Sequence, residues 1–405
     1  MDTKATRTLL GLSALSVLFF VGSTNAQEKM EKGYTSLFNG KNFDGWKTIL
    51  RSKDADPSKT FMVKDGMIVV SGRPAGYFYT EKSYKNYVLK FDWKFSKPGN
   101  SGLLVHITGD HRIWPKCVEM QGQFNNHGHI FAISGAKGKF KTDRKALKKA
   151  IADGVDKWRT TTLVARNGML TSFIDGVKIS EGVGNVMSGP FGFQSEGTEL
   201  YFKNIRIKEI PDYEPPTSKG FVQLFNGKNL DGWKFYLRTK EEVDPKKTFV
   251  VKAGQLQVTG FPFGYFYTDK SYKNYVLRYT WKYPKKQPKD TTMNSGCLVH
   301  MQPPQKIWPY SVEPQCRYFD HGKFFFIGFN NRPKQTFNFI TQRMALNPSY
   351  EWNYTEVVSK NGVVKVSING IQVNMAKTQL TSGPIGFQSE GARIHFKDII
   401  IKPMD

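Results

Sequence analysis

The sequence predicts an all-β protein built from two tandem antiparallel sandwiches or jelly rolls. Apolar and polar residues alternate with a period of two in many short segments, as half-buried strands require. One set of motifs also occurs twice along the 405 residues: segment 38–46 returns at 225–233, and segment 192–197 returns at 386–391. A repeat this long indicates two whole domains, because solenoid repeats run to roughly 20–50 residues.

The clearest strand in each copy carries five apolar residues in alternation with polar ones: Tyr87, Leu89, Phe91, Trp93 and Phe95 in the first, and Tyr275, Leu277, Tyr279, Trp281 and Tyr283 in the second. Four residue pairs tolerate the positive φ of two-residue hairpin turns: Asn167-Gly168, Asp175-Gly176, Asn361-Gly362 and Asn369-Gly370. Helical periodicity is confined to one short stretch near Asp143–Ala152.

The domain boundaries follow from the repeat and from the two ends of each copy. We expect a signal peptide over residues 1–26, a first sandwich over 27–210, a polar Pro-rich linker over 211–218 and a second sandwich over 219–405. Lys4 and Arg7 precede an apolar run, and Thr24-Asn25-Ala26 forms a small-residue cleavage site. The run is shorter than the roughly 20 residues of a membrane span. The mature protein is therefore expected to be periplasmic or secreted, with no transmembrane span.

Charge and cysteine content limit the partners and the redox chemistry. The formal net charge of +25 favours an anionic partner, but the lysines are spread over the polar sides of both copies. We interpret them as a solvated surface and expect no nucleic-acid partner, while an anionic polysaccharide stays open. Cys117, Cys297 and Cys316 occupy non-equivalent places in the two copies. They are expected to be buried apolar residues, with a Cys297–Cys316 bond as the alternative.

Three repeated segments carry polar groups that a plain core strand does not need: 100–106, 114–121 and 194–196, matched by 294–300, 308–315 and 388–390. Alternation places Leu104 with His106 on one face and Glu119 with Gln121 on another. The candidate catalytic residues are His106, Glu119, Glu196, His300, Glu313 and Glu390. The candidate substrate-binding residues are Asn100, Trp114, Gln121, Gln194, Asn294, Trp308, Gln315 and Gln388.

Structural roles compete with these functional ones. His106 could be a satisfied structural histidine, Glu119 a solvent-facing strand residue and Glu196 a turn cap. His127 and His129 have the spacing of a metal pair, but the second copy keeps only His321. No metal-ligand spacing stands out, and a divalent metal ion is left as an open cofactor.

The motifs together resemble the 3-keto-disaccharide hydrolase family, also described as 3-keto-glucoside lyase/hydratase domains. The resemblance rests on the opening segment 37–46, Gly99-Asn100-Ser101-Gly102, the strand 118–121 and the closing segment 192–207. It covers nearly the whole mature chain, once per copy, and it implies two concanavalin A-like jelly rolls. Many members carry arginine where His106 stands.

The resemblance also implies a reaction on an oligosaccharide or glycoside with a ketone at C3. The ketone makes the C2 proton acidic, so that a base, a stabiliser for the enolate and an acid for the leaving oxygen are required. Glu119 or His106 would be the base, and Glu196 would protonate the leaving group. Asn100, Gln121 or a bound cation would hold the enolate.

Two alternatives stay open. One is direct displacement by two carboxylates, and the other is a non-catalytic tandem carbohydrate-binding module. Both copies carry the full candidate set while their loops differ, so we expect two competent pockets with different substrate preferences.

Overall fold

The computed structural model describes residues 30–239, 242–288 and 292–405. The predicted signal peptide, residues 1–26, lies outside the described residues. Strands make up 46% of the structure and helices 7%, which confirms the all-β prediction.

The first copy, whose residues 30–210 are all described, contains fifteen strands. They are β1 (Thr35–Ser36), β2 (Trp46–Leu50), β3 (Phe61–Lys64), β4 (Met67–Val70), β5 (Gly76–Thr80), β6 (Tyr87–Phe95), β7 (Gly102–Thr108), β8 (Lys116–Gln121), β9 (Ile130–Ile133), β10 (Gly138–Thr142), β11 (Arg159–Arg166), β12 (Met169–Ile174), β13 (Val177–Gly184), β14 (Gly192–Ser195) and β15 (Leu200–Glu209). Two helices, α1 (Pro57–Thr60) and α2 (Arg144–Ala150), and a 3₁₀ turn, Phe124–Asn126, complete it.

The described part of the second copy contains fourteen strands. They are β16 (Val222–Gln223), β17 (Trp233–Leu237), β18 (Phe249–Lys252), β19 (Gln255–Val258), β20 (Gly264–Thr268), β21 (Tyr275–Lys282), β22 (Cys297–Leu298), β23 (Ser311–Pro314), β24 (Phe324–Ile327), β25 (Asn353–Lys360), β26 (Val363–Ile368), β27 (Ile371–Lys377), β28 (Gly386–Ser389) and β29 (Ile394–Pro403). It also holds helix α3 (Phe339–Ala345) and two 3₁₀ turns, Pro245–Lys247 and Tyr318–Asp320.

Each copy folds into a large and a small antiparallel sheet. In the first copy the large sheet has the order β10-β13-β12-β11-β6-β15-β4-β3, with β1 beside β15, and the small sheet has the order β2-β5-β14-β7-β8-β9. In the second copy the large sheet has the order β18-β19-β29-β21-β25-β26-β27, with β16 beside β29. Its small sheet is split into β17-β20-β28-β22 and the pair β23-β24. The bridges Gly296–Gln315 and Val299–Val312 join these two parts.

The core of each copy lies between its two sheets. In the first copy Phe91 and Phe202 of the large sheet meet Phe193 of the small sheet, with ring centroids 4.9 and 4.8 Å apart. All five alternating apolar residues of β6 belong to this core, as the sequence predicts. Trp93 is 1% exposed, and its indole N–H donates to Thr161 Oγ1 at 2.7 Å. The sandwich prediction is therefore confirmed by packing as well as by strand content.

Hairpin turns occur where the sequence places them. Asn167 and Gly168 both have positive φ, at 45° and 78°, and they join β11 to β12. Asn361 and Gly362, with φ of 50° and 77°, join β25 to β26 in the second copy. These angles suit the primed turns that match the twist of an antiparallel pair.

The helices agree only in part with the sequence analysis. Helix α2 lies inside the predicted stretch, and Asp143 caps it by accepting a hydrogen bond from the Ala146 amide at 2.9 Å. The expectation of a single helical stretch is wrong, because α3 forms in the second copy. This helix is stabilised by its cap, Asn338, and by packing of Ile340 and Met344 on the first copy.

Helix α3 also holds the two copies together. It packs on the outer face of the first copy's large sheet, where Ile340 and Met344 join an apolar cluster with Val88, Val164, Phe173 and Ile210. The fully buried Arg343 pairs with Glu181 of the first copy, Nη2 to Oε2, at 2.8 Å. The predicted linker follows the same interface, since the ring of Tyr213 packs 5.6 Å from that of Tyr354.

The three cysteines are buried and free, and they form no disulfide. The interpretation as buried apolar residues is thereby confirmed. Within the described residues, no helix has the length and hydropathy needed to cross a membrane.

Candidate active site

The candidate residues of the first copy meet on the outer face of the small sheet, where β7, β8 and β14 lie side by side. Val118 and Met120 of β8 pack in the core, so Glu119 lies on the opposite face, as the alternation predicts. Phe193 of β14 is likewise a core residue, and Gln194 after it faces outward. The adjacent Glu196 pairs across the backbone with Asn100.

A glycine provides the space in which two of these side chains meet. A Cβ atom on Gly102 would overlap Gln194 Oε1 and would lie 2.9 Å from Glu119 Oε1. Gly296 stands in the same relation to Gln388 and Glu313 in the second copy. The Asn-Ser-Gly motif is therefore explained by a close approach that only glycine permits.

All four carboxyl groups have raised pKa values. Burial, followed by the neighbouring charge of Glu196, raises the pKa of Glu119 to about 7, against a lowering contribution from Gln194. Burial and Glu390 raise the pKa of Glu313 to about 8. Burial also raises the pKa of Glu196, with Arg51 opposing it, and raises that of Glu390 to about 7, with Arg317 opposing it. In each copy two neighbouring carboxyl groups thus resist ionising together.

An open cavity of about 390 Å³ lies beside this pair in the first copy. Arg51, Arg73, Trp114, Glu196 and Gly197 are among the residues that line it. Trp114 has a φ of +57°, and it supplies the aromatic wall that the sequence predicts. Glu119 is 7% exposed and is not one of the lining residues, so Glu196 is the carboxylate that faces the cavity directly.

Several buried acceptor atoms at the site have no hydrogen-bond donor within the described structure. Asn100 Oδ1 and Gln194 Oε1 are without partners in the first copy, as are Asn294 Oδ1 and Gln388 Oε1 in the second. An unpaired buried polar atom costs about 1–3 kcal/mol. The same acceptors are unfilled in both copies, so the feature belongs to the repeated site.

His106 is not brought to this site. The ring is fully buried and packs edge-on against Tyr87 of the core, 5.7 Å between centroids. The prediction that His106 shares a face with Leu104 is wrong, because Leu104 packs on the outer face. The register of β7 against β8 shifts between Val105 and Thr108, and His106 itself has a φ of +57°.

Both equivalent histidines make structural hydrogen bonds. His106 Nδ1 donates to the Val186 carbonyl at 3.1 Å, and His300 Nδ1 to that of Leu380 at 3.0 Å. Ser359 adds a contact to His300 Nε2 at 2.9 Å. Burial lowers the pKa of each ring to about 4, so both are neutral at physiological pH.

The remaining candidates occupy mixed positions. Gln121 Oε1 accepts from the Gln123 amide at 2.7 Å, and Gln315 Oε1 accepts from the Arg317 amide, so each carbonyl oxygen closes a turn. His127 stacks on Trp93 in the core. Within the ranges that the structure describes, no group of three or more His, Cys, Asp or Glu residues is placed to hold a metal ion. The divalent metal stays a prediction.

The sequence analysis missed the arginines of the cavity, Arg51 and Arg73. They lie on rim segments far from Glu196 in sequence. Arg51 is repeated as Arg238, but it lies outside the segments that the sequence analysis singles out, and Arg73 is not repeated. Comparing the two copies would have drawn attention to Arg73, because Phe261 stands in its place.

Comparison with known proteins shows the family to which the chain belongs. A family model described as a 3-keto-alpha-glucoside-1,2-lyase-like domain matches residues 33–208 and again residues 220–402. The chain belongs to this family. Each matched region contains one pair of glutamates, Glu119 with Glu196 or Glu313 with Glu390, and the glycine beside it. The site described above therefore occurs once in each of the two family domains.

Individual relatives are more distant. A 3-keto-disaccharide hydrolase of Bacteroides thetaiotaomicron is 38% identical over 80 residues, which are 18% of this chain and 26% of that protein. The match thus spans about a quarter of the relative's length. A proposed glycosyl hydrolase of Parabacteroides distasonis is 25% identical, with a TM-score of 0.35, over 44% of this chain and 94% of its own. A carbohydrate-binding module of Bacillus subtilis is 13% identical, with a TM-score of 0.28, over 41% and 96%.

Proposed function

We propose that the protein cleaves 3-keto-glycosides by proton abstraction at C2, elimination and hydration, with net hydrolysis. The observation that carries the proposal is the pair of neighbouring carboxyl groups with raised pKa values, Glu119 with Glu196, repeated as Glu313 with Glu390. The family description and the name of the bacterial relative agree with carbohydrate chemistry of this kind. The unfilled acceptors of Asn100 and Gln194 suit sugar hydroxyl groups.

The environments of the two carboxyl groups suggest their roles. When two acids in one site differ in pKa, the higher one is suited to donate a proton and the lower one to accept it. Burial raises the pKa of Glu119 to about 7, while Glu196 faces the cavity with Arg51 opposing the rise. Glu196 is therefore proposed as the base at C2 and Glu119 as the acid. This reverses the roles that the sequence and the resemblance implied.

The reaction then balances in two stages. Glu196 takes the C2 proton, the resulting enolate expels the C1 substituent, and Glu119 protonates the departing oxygen. In the second stage Glu119 removes a proton from water as its oxygen bonds to C1, and Glu196 returns a proton to C2. The amide groups of Asn100 and Gln121 are proposed to donate to the enolate oxygen, a role for which oriented donors are effective.

The role assignment can be tested with leaving groups of different acidity. In full-length chains carrying Glu390→Gln to silence the second site, Glu196→Gln should reduce turnover of every 3-keto-glucoside by about 10²–10⁴-fold. Glu119→Gln should slow release of the leaving group by the same factor for alkyl glycosides, but far less for nitrophenyl glycosides, whose leaving group needs no proton. An equal loss for both substrates after Glu119→Gln would contradict its role as the acid.

The overall proposal has its own test. The purified chain is incubated with 3-keto-trehalose and with 3-keto-glucosides, with divalent metal ions present and absent, and sugar release is followed. Binding without release under all conditions would favour the non-catalytic carbohydrate-binding module instead.

We also propose that the protein is exported to the periplasm or beyond, on the strength of residues 1–26. The mature protein isolated from its host should then begin at Gln27. A mature protein that retains Met1 would contradict this.

A further inference from the structure

The two pockets differ at two positions on their rims, near the glutamate that faces the cavity. In the first copy these positions are Arg73 and Ala75, which line the cavity together with Arg51 and Glu196. In the second copy they are Phe261 and Phe263, whose rings stack with centroids 5.2 Å apart. Equivalent carboxyl groups are therefore bordered by positive charge in the first copy and by aromatic rings in the second.

The rim of the first pocket carries uncompensated positive charge. Arg51 and Arg73 are both exposed, and neither forms an ion pair with a carboxylate of the described residues. The only acid among the lining residues is Glu196, so two guanidinium groups face one carboxyl group. Guanidinium groups bind carboxylate and sulfate groups in bidentate geometry.

The rim of the second pocket is covered by rings. The side chain of Phe261 is 53% exposed, so its ring is accessible to a ligand. The arginine equivalent to Arg51 is Arg238, and its guanidinium lies over the ring of Phe263, 5.3 Å from the centroid. That charge is thus directed against an aromatic face rather than into the pocket, and the charge of Arg317, which acts on Glu390, is paired with Asp320.

Gly197 follows Glu196 in the first copy, and Gly391 follows Glu390 in the second. The surroundings of these two glycines show that the phenylalanine rings of the second copy lie where the first copy has its cavity. A Cβ atom on Gly197 would meet nothing within 4 Å, because the first cavity lies there. A Cβ atom on Gly391 would lie 3.8 Å from Phe261 and 4.0 Å from Phe263. The two phenylalanines therefore lie beside Gly391, in the place that the cavity occupies beside Gly197 in the first copy.

We propose that the pockets sort glycosides by the group attached next to the scissile bond: the first binds an anionic group at Arg51 and Arg73, and the second binds an uncharged aromatic ring at Phe261 and Phe263. The inference rests on the proposed function for the cleavage itself, but not for the binding preference. It specifies which chemical group each copy is expected to prefer in its substrate.

Two probes that differ by one carboxylate test the sorting in the full-length chain: phenyl and 4-carboxyphenyl 3-keto-glucosides, each as both anomers. Calorimetry measures their binding to chains that carry Glu196→Gln and Glu390→Gln, so that the probes are not cleaved, with and without Arg73→Ala or Phe261→Ala. Arg73→Ala should weaken the carboxyphenyl probe about 3–10-fold and leave the phenyl probe unchanged. Phe261→Ala should weaken the phenyl probe by a similar factor, about 3–10-fold, and leave the carboxyphenyl probe unchanged.

Controls separate charge at the rim from charge in general. Lys64→Ala removes one exposed positive charge from the first copy, away from the cavity lining, and should alter neither affinity. Raising the salt concentration should weaken only the carboxyphenyl probe, because exposed charges are screened. The exchange variant Arg73→Phe should give the first pocket an affinity for the phenyl probe.

The outcomes distinguish this inference from the proposed function. Selective binding of the two probes without their cleavage by the parent chain would support the sorting and contradict the proposed reaction. Cleavage of both probes with affinities that respond equally to Arg73→Ala and Phe261→Ala would overturn the sorting alone. Absence of binding by both probes would overturn the sorting as well.

Discussion

Replacing Glu313 by glutamine should stabilise the protein, and should do so more strongly at alkaline pH. Glu313 is 5% exposed, and its Oε1 has no hydrogen-bond partner within the described residues. Burial and the charge of Glu390 raise its pKa from 4.5 to about 8. The folded state thus holds a proton that the unfolded state has already lost, and stability falls as the pH rises between these two values.

The magnitude follows from the size of the shift. One pKa unit corresponds to about 1.4 kcal/mol, so at pH 6 the folded protein is disfavoured by about 2 kcal/mol through Glu313. At pH 9, above both pKa values, the full shift applies and the penalty reaches about 5 kcal/mol. Glutamine has the shape of the protonated acid and carries no titrating group. The stability gained by Glu313→Gln should therefore increase by about 3 kcal/mol between pH 6 and pH 9.

Chemical denaturation at the two pH values measures this difference, with circular dichroism as the signal. The equivalent substitution Glu119→Gln should show about half the pH-dependent gain, near 1.4 kcal/mol, because its pKa is about 7. Glu214→Gln, at an exposed position of the linker, controls for the substitution itself. A stability difference between Glu313→Gln and the parent that is the same at pH 6 and pH 9 would refute the assignment of a buried, proton-holding carboxyl group.

Three further predictions concern the site and the interface. Gly102→Ala should reduce turnover at the first pocket by at least 10²-fold and destabilise the protein by about 1–3 kcal/mol, because the new methyl group displaces the side chains above it; activity near that of the parent would contradict the close approach. In chains with one working pocket, activity should fall as the pH rises through about 7 at the first pocket and about 8 at the second, where Glu119 and Glu313 lose their protons; rate profiles with coincident alkaline limbs would refute this order. Arg343→Met should lower the free energy of unfolding by about 3 kcal/mol, because Glu181 loses a buried partner, and calorimetry should then resolve separate transitions for the two copies; a single unshifted transition would show that the ion pair does not stabilise the interface.

The parts of the fold that the sequence predicts are those governed by local chemistry. Alternation around Leu89 and Trp93 identifies the buried face of β6, since strand geometry alone fixes which side chains point inward. The turn at Asn167-Gly168 follows from the tolerance of these residues for positive φ. Because the second copy repeats these patterns, each inference about the first copy also applies to the second.

The parts that the sequence does not predict depend on contacts between distant segments. His106 turns into the core because of a register shift and a positive φ, and a period-two pattern contains no sign of either. Helix α3 packs Ile340 and Met344 on a sheet of the other copy, a contact between segments far apart in sequence. Arg51 and Arg73 reach the cavity from loops whose paths are set by the whole sandwich, so only the folded structure joins them to Glu196.

The apolar contact beneath α3 has a consequence for how such a duplicated protein can change over generations. Truncation after the first copy would bare Val88, Val164 and Phe173 to water, and a patch of that kind promotes aggregation. Each copy is therefore needed to keep the protein soluble, even when selection no longer acts on turnover at its pocket. A tandem chain locked in this way can let one pocket drift to a new ligand while the other preserves the ancestral one, and it cannot return to a single domain by simple deletion.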